Sequence, residues 1–299
     1  MKFAKRIFLF LTVNILIVLT LSLVLNMLGV KPYLSAAGVM NYSSLMTFCL
    51  VWGFGGAFIS LALSRIIAKW SMGVKLINES TPDSNLRDLY FEVESISKKA
   101  GIPMPEVGIY ESEEINAFAT GPTQSRSLVA VSTGLIHKMN KSQLRGVLAH
   151  EVAHISNGDM VTMTLLQGVV NAFVMFIARV IGFFVSQSVE EEKRSWVQFL
   201  VVFVCEIVLG ILGMLVVAAF SRAREFRADK GGANYSSKND MISALKKLKE
   251  TIEIQEENPH TSLATLKISQ KPNSFLSLFS THPNLDERIA ILNQSDQGS

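Results

Sequence analysis

Cysteine is nearly missing from this chain: of 299 residues only Cys49 and Cys205 carry a thiol, and each lies inside an apolar block. That leaves no framework of disulfides and no cysteine metal site, so both read as small packing residues, and a cysteine-free polar portion suits a reducing compartment. Charge is thin as well, at 18% of residues with a net of +3. No Lys/Arg-rich tract and no interleaving of basic and aromatic residues occurs, which excludes nucleic acid as a partner. No internal repeat is found. What the chain has in excess is apolar residues, 49% of the total, gathered into four long blocks. Its length allows one ordinary domain plus extra elements.

The first block, 7–30, contains no charge and is long enough to cross a bilayer core of about 30 Å as a helix. It follows Lys2, Lys5 and Arg6. It exceeds the apolar core of a secretory signal peptide and no small-residue cleavage site follows, so an uncleaved anchor is expected. The other blocks span 45–63, 160–185 and 197–220. A short polar loop, 187–196, makes the last two a helical hairpin, 160–220. A buried, non-spanning core pair is the rival reading, but each segment exceeds the usual length of a soluble core helix.

Basic residues set the orientation. Lys2, Lys5 and Arg6 precede the first block, Arg65, Lys69 and Lys75 follow the second, and Arg222, Arg224, Arg227 and Lys230 follow the fourth. Both termini and both polar stretches, 64–159 and 221–299, are therefore expected in the cytoplasm, beneath a multi-pass membrane part. Two charges interrupt the hairpin, Arg179 and Glu206. At a rise of about 1.5 Å per residue they lie at similar depth. Isolated charges in lipid are costly, so a structural ion pair between them is expected.

In the polar stretches, 84–100 reads as an amphipathic helix stopped by Gly101 and the prolines at 103 and 105. Short β-like runs follow at 107–110, 116–120 and 127–132, a small and expectedly antiparallel sheet. Asn140 is a good N-cap with Gln143 as reciprocal partner, so a helix should begin there. Helices are also expected over 221–233, 240–251 and 283–293, with an irregular loop over 253–280.

The helix opening at Asn140 carries His150-Glu151-Val152-Ala153-His154. Histidines at i and i+4 project from one face, and Glu151, offset by about 100°, reaches a water rather than a metal. A metal held by two histidines and a third protein ligand keeps a position open for water. The metzincin extension Gly-x-x-His is excluded, because Asn157-Gly158-Asp159-Met160 stands there. His137, His260, His282 and the acidic residues remain. Among them Glu225 emerges directly from the fourth apolar block, while the His150–His154 helix runs into the third through Asp159. The two ends of one hairpin thus return Glu225 beside the histidines. Asp229, one turn further on the same face, is a candidate acceptor for the far ring nitrogen of a zinc histidine.

His150-Glu151-Val152-Ala153-His154 with Glu225-Phe226-Arg227-Ala228-Asp229, two apolar blocks before the motif and two after it, resembles the HtpX family. These are bacterial membrane-bound, heat-shock-associated proteases related to the CAAX prenyl endopeptidases. The resemblance covers nearly the whole chain. It implies a mainly α membrane protein: four transmembrane helices, with a cytoplasmic α+β metallopeptidase domain of gluzincin type built around a small β-sheet. It implies one zinc per chain at His150, His154 and Glu225, Glu151 as general base, and the inner membrane as location. Misfolded or damaged membrane proteins would be cleaved there on the cytoplasmic side, as stress-related quality control. Asn116, Ala117, Phe118 and Ala119 resemble a strand bordering the cleft, whose exposed edge would bind substrate as an added β-strand. Thr281-His282-Pro283 resembles a segment near the active site, giving His282 a role in stabilising the oxyanion. Two rival functions are a processing protease for a lipidated or other dedicated peptide and a non-catalytic membrane scaffold or holdase. The intact ligand set with Glu151 argues against the scaffold.

Overall fold

The computed structural model describes residues 2–30, 33, 39–257 and 280–294. Two compact units are present, one of residues Met1–Leu61 with Thr162–Val217, the other of Ala62–Val161 with Ala218–Ser299. Helices α1 (Lys2–Met27), α2 (Tyr42–Met72), α6 (Asp159–Ser186) and α7 (Glu191–Tyr235) supply the first unit, and α2, α6 and α7 also contribute residues to the second.

Among the described residues α2, α6 and α7 are long and apolar enough to cross a membrane. The block at 7–30 falls mostly in α1, whose described apolar part is Ile15–Met27. Phe199, Phe203, Val208, Leu212 and Val216 on α7 are exposed, an arrangement stable in lipid rather than in water. Leu45, Cys49 and Ala172 pack together, and Cys49 sits there as a free, fully buried thiol. Arg179 Nη1 donates to Glu206 Oε1 at 2.7 Å and to the Met175 carbonyl at 3.1 Å, with its guanidinium 5.4 Å from the centre of the Phe48 ring. The two hairpin charges thus satisfy each other.

The second unit is built on a four-stranded sheet in the order β1 (Lys75–Ile77), β2 (Glu106–Tyr110), β4 (Leu128–Ser132), β3 (Ala117–Thr120). Its interior strands bury Val107, Val129 and Val131 against Leu89, Val93 and Ile96 of α3 (Ser84–Ala100) and Leu148 and Val152 of α5 (Lys141–Ser156). Helix α3 opens on Asp83, whose carboxylate accepts from the Asn85 and Leu86 amides, and ends at Gly101, at φ 67°. At the start of α5 the reciprocal bonds between Asn140 and Gln143 are both 3.0 Å long. Helix α4 (Thr133–Lys138) links β4 to α5, and α8 (Lys238–Glu257) and α9 (Leu285–Gln294) complete the unit. Arg65 and Lys69, two of the cations that follow the second apolar block, pair with Glu106 of β2 at 3.3 and 2.5 Å.

The structure corrects several expected boundaries. The sheet is mixed: β2 and β4 run parallel because β3 takes the edge and β4 enters between them. Polarity misplaces helix ends. The fourth apolar block and the helix expected at 221–233 are one helix, α7, since no Gly or Pro interrupts the backbone between them. For the same reason α2 continues from the second block to Met72, where Gly73 at φ 66° ends it. Strand β1 and helix α4 have no counterpart in the sequence reading. Helix α8 runs to Glu257, into the expected loop, whose residues 258–279 lie outside the described residues. Helix α9 begins at Leu285, two residues after Pro283.

Candidate metal-dependent active site

Helix α5 presents His150 and His154 from one face, their Nε2 atoms 3.1 Å apart. Glu225 of α7 completes the group, with Oε2 3.5 Å from His150 Nε2 and Oε1 3.4 Å from His154 Nε2. Residues 155–224 lie between the histidines and this carboxylate in sequence. Their meeting depends on a close approach of α7 to α5: a Cβ on Gly231 would stand 2.8 Å from Ala153 Cβ, and one on Gly232 3.1 Å from the His150 amide nitrogen. Any side chain there would push the helices apart.

Each histidine is anchored through its other nitrogen. His150 Nδ1 lies 3.0 Å from Asp229 Oδ1, and His154 Nδ1 lies 2.7 Å from Asp159 Oδ2. Both contacts leave Nε2 as the free ligating atom and fix the ring orientation. Asp229 is held in turn by Arg288 of α9, Nε to Oδ2 at 2.7 Å and Nη2 to Oδ1 at 2.6 Å. This bidentate fork is nearly inaccessible to water, Arg288 being 6% exposed. Asp159 owes its position to Gly158, which turns the chain between α5 and α6 at φ 67°.

The donor set fits a divalent metal. Ligands about 2.0–2.1 Å from a tetrahedral zinc stand roughly 3.3 Å from one another; the two Nε2 atoms are 3.1 Å apart, and a different oxygen of Glu225 stands within 3.5 Å of each. Glu225 is completely buried, and its Oε1 has no hydrogen-bond partner. A buried anionic oxygen beside two imidazole nitrogens, with only Arg224 Nη2 at 3.5 Å to balance it among the described residues, suits a bound cation. Burial opposes the charge on His150, yet the hydrogen bonds to Asp229 and Glu225 outweigh it and lift its pKa to about 9. Burial likewise opposes ionisation of Glu225, but its three histidine contacts hold the carboxyl far below the usual range.

Glu151, one residue along α5 from His150, lines a cavity of about 270 Å³ together with Asn116, Ala117, Glu225, His282 and Arg288. His282 Nδ1 stands 2.9 Å from Glu225 Oε2, so its ring supports the carboxylate as well as facing the cavity. The strand residues divide: Asn116 and Ala117 reach the cavity, Phe118 packs 5.7 Å from the Tyr110 ring, and Ala119 joins the main core. The outer edge of β3 pairs with no other strand among the described residues. The sequence reading missed Arg288 and the part played by Asp159. A signal existed for Arg288, since it shares one face of α9 with Leu285, Ile289 and Leu292, and a cation on an apolar face needs a buried partner.

Residues 83–296 match the profile described as peptidase family M48. The chain belongs to peptidase family M48. Its similarity to M48 relatives extends over nearly its whole length. It is 50% identical over 297 residues to a protease HtpX homolog of Methylacidiphilum infernorum, covering 96% of this chain and 98% of the relative. Identity to the protease HtpX homolog of Bacillus subtilis is also 50%, over 296 residues, 97% of this chain and 99% of that one. The Bacillus licheniformis homolog is 51% identical over 296 residues, 96% and 98% of the two chains. Within M48 the chain is thus an HtpX-type metalloprotease. The fold of this chain is also seen in the crystal structure of Ste24p from S. mikatae, which aligns with a TM-score of 0.63 at 17% identity. That alignment covers 97% of this chain, which spans 64% of the Ste24p chain.

The carboxylates behind the histidines give the first prediction. Asp159→Asn should weaken metal binding by about 10–100-fold, because the ring of His154 loses the anion that orients it. Competition with a chromogenic chelator measures this, and an unchanged affinity would show that Asp159 is merely a turn residue.

Proposed function

We propose that the chain is a zinc-dependent endopeptidase of the bacterial inner membrane that cleaves misfolded or damaged membrane proteins on the cytoplasmic side. One observation carries the reading: His150, His154 and Glu225 group together, and His150 and Glu225 line, with Glu151, a cavity that Ala117 of the edge strand β3 borders. Two imidazoles and a carboxylate, with no thiolate, form a donor set suited to catalytic zinc. Bound there, zinc would supply a Lewis acid for the scissile carbonyl and lower the pKa of water.

The chain's own residues do the rest. Glu151 accepts the proton of the attacking water and delivers it to the departing amine nitrogen. His282, with Nδ1 engaged by Glu225, turns its remaining ring nitrogen to the carbonyl oxygen as charge develops there. Asp229, Asp159 and Arg288 hold the ligands still. Asn116 and Ala117 begin an edge along which an extended substrate adds as a strand, bound through its backbone. Such binding tolerates many sequences but requires an unfolded segment, which is what damaged proteins offer. The apolar surfaces of α2, α6 and α7, and the basic residues at 65, 69, 222, 224 and 227, support a multi-pass protein with its polar parts in the cytoplasm.

The test is reconstitution in liposomes with zinc. A destabilised variant of a helical membrane protein should be cut faster than its folded parent. Cleavage confined to a prenylated peptide would replace this reading with that of a dedicated processing enzyme.

A further inference from the structure

Arg179 and Glu206 balance each other's charge, but not each other's capacity for hydrogen bonds. Arg179 is held three ways: Nη1 donates to Glu206 Oε1 and to the Met175 carbonyl, and the guanidinium stands over the Phe48 ring. Glu206 has this one polar partner among the described residues, and its Oε2 accepts nothing. The carboxylate is also the outward member, 38% exposed against 17% for the arginine side chain. It lies in a stripe of α7 with Phe203, Val204, Ile207 and Val208, all exposed. It stands within about one helical turn of the middle of the apolar block 197–220, where a charge in lipid is costliest. A pair that only held the hairpin together would gain most from a buried, two-pronged contact. This one turns an unused acceptor outward.

We propose that Glu206 is an intramembrane recognition site, which pairs with a hydrogen-bond donor (Asn, Gln or Lys) carried at mid-depth by the transmembrane helix of a substrate. The inference rests on the reading of the chain as a peptidase of membrane proteins and adds to it a feature by which substrates are chosen. A transmembrane helix that has lost its neighbours presents to lipid the polar side chains those neighbours once satisfied. Such a side chain gains a partner at Oε2, whereas a wholly apolar helix gains nothing there. Phe203, Val204, Ile207 and Val208 flank the carboxylate with apolar surface, against which the rest of a visiting helix packs. A visiting carboxylate meets like charge, so acidic side chains are not selected. One polar contact between helices in a membrane corresponds to roughly 3–30-fold in affinity.

Energy transfer in liposomes between the labelled full-length Glu151→Gln protein and labelled model helices measures this binding without cleavage. The helices are of Leu and Ala with one central Asn, Leu or Glu. The Asn helix should bind tighter than the Leu helix by that factor, and the Glu helix no better than Leu. Moving Asn two turns toward either end should abolish the gain. So should replacing the pair as a whole, Arg179→Leu with Glu206→Leu, an exchange of ion pair for apolar residues that leaves no charge stranded. In a second arm the zinc-loaded protein with Glu151 intact cuts the same helices fused to an unfolded tail. KM should be lower for Asn than for Leu, with kcat unchanged, and the double variant should cut a soluble unfolded peptide as the parent does. Equal affinities for the Asn and Leu helices, or a gain that persists in the folded double variant, overturn the recognition site and leave the peptidase standing. Should the double variant fail to fold, the depth series decides, and a gain independent of depth overturns the site. Zinc-loaded protein that cuts nothing overturns the peptidase reading, and the binding arm then decides recognition alone.

Discussion

Glu151→Gln is expected to lower peptidase activity by roughly 10²–10⁴-fold, the usual contribution of a positioned general base, while metal content and folding stay as in the wild type. The substitution keeps the shape of the side chain and removes only its ability to take a proton. Glu151 belongs to the cavity lining and to none of the three ligating positions, so the loss should fall on kcat, with little change in KM. Steady-state kinetics on a quenched peptide, run beside elemental analysis of the same preparation, separate these effects. Equal loss of metal and activity would place Glu151 among the ligands instead.

The second large effect is expected at Glu225. Glu225→Ala should reduce bound zinc from one per chain to near zero and proteolysis to background. Its carboxylate is the one member of the candidate ligand group that α7 supplies, and it is 0% exposed. It also faces Arg288 Nη1 at 3.6 Å and Arg224 Nη2 at 3.5 Å. Removing it takes away the buried anion that three imidazoles hold, although Arg288 keeps its fork to Asp229, and losing such a charged partner costs about 1–3 kcal/mol. The apparent unfolding temperature should therefore fall even in metal-free buffer. His154→Ala removes a second candidate ligand and leaves the buried carboxylate of Asp159 without its imidazole, so it should lose zinc with a lowered unfolding temperature as well. An unchanged temperature in Glu225→Ala would argue against the charge cluster as a stabilising feature.

Much of this site was legible because its parts are local. A capping box, an i,i+4 histidine pair and a glycine stop are each written within a few residues, and α3 and the start of α5 follow them closely. The approach of Glu225 was also legible, from connectivity: a polar segment leaving one apolar block must return near the segment that entered the other. What was not legible depends on contacts made across the fold. The parallel pairing of β2 with β4 cannot be read from alternation, which records faces and not strand order. The length of α7 was missed because a change from apolar to charged residues looks like an end, whereas it leaves the backbone hydrogen bonding of the helix untouched. Arg288 lies 138 positions from His150, and only folding shows that Asp229 bridges them.

Proteolysis of an unfolded membrane protein by the purified chain, followed as the metal is removed with a chelator and returned as zinc, tests the central claim most directly. The site described here predicts that product formation stops on chelation, resumes on addition of zinc, and is absent throughout for Glu151→Gln. Cleavage that continues at the same rate after the metal is gone would contradict it.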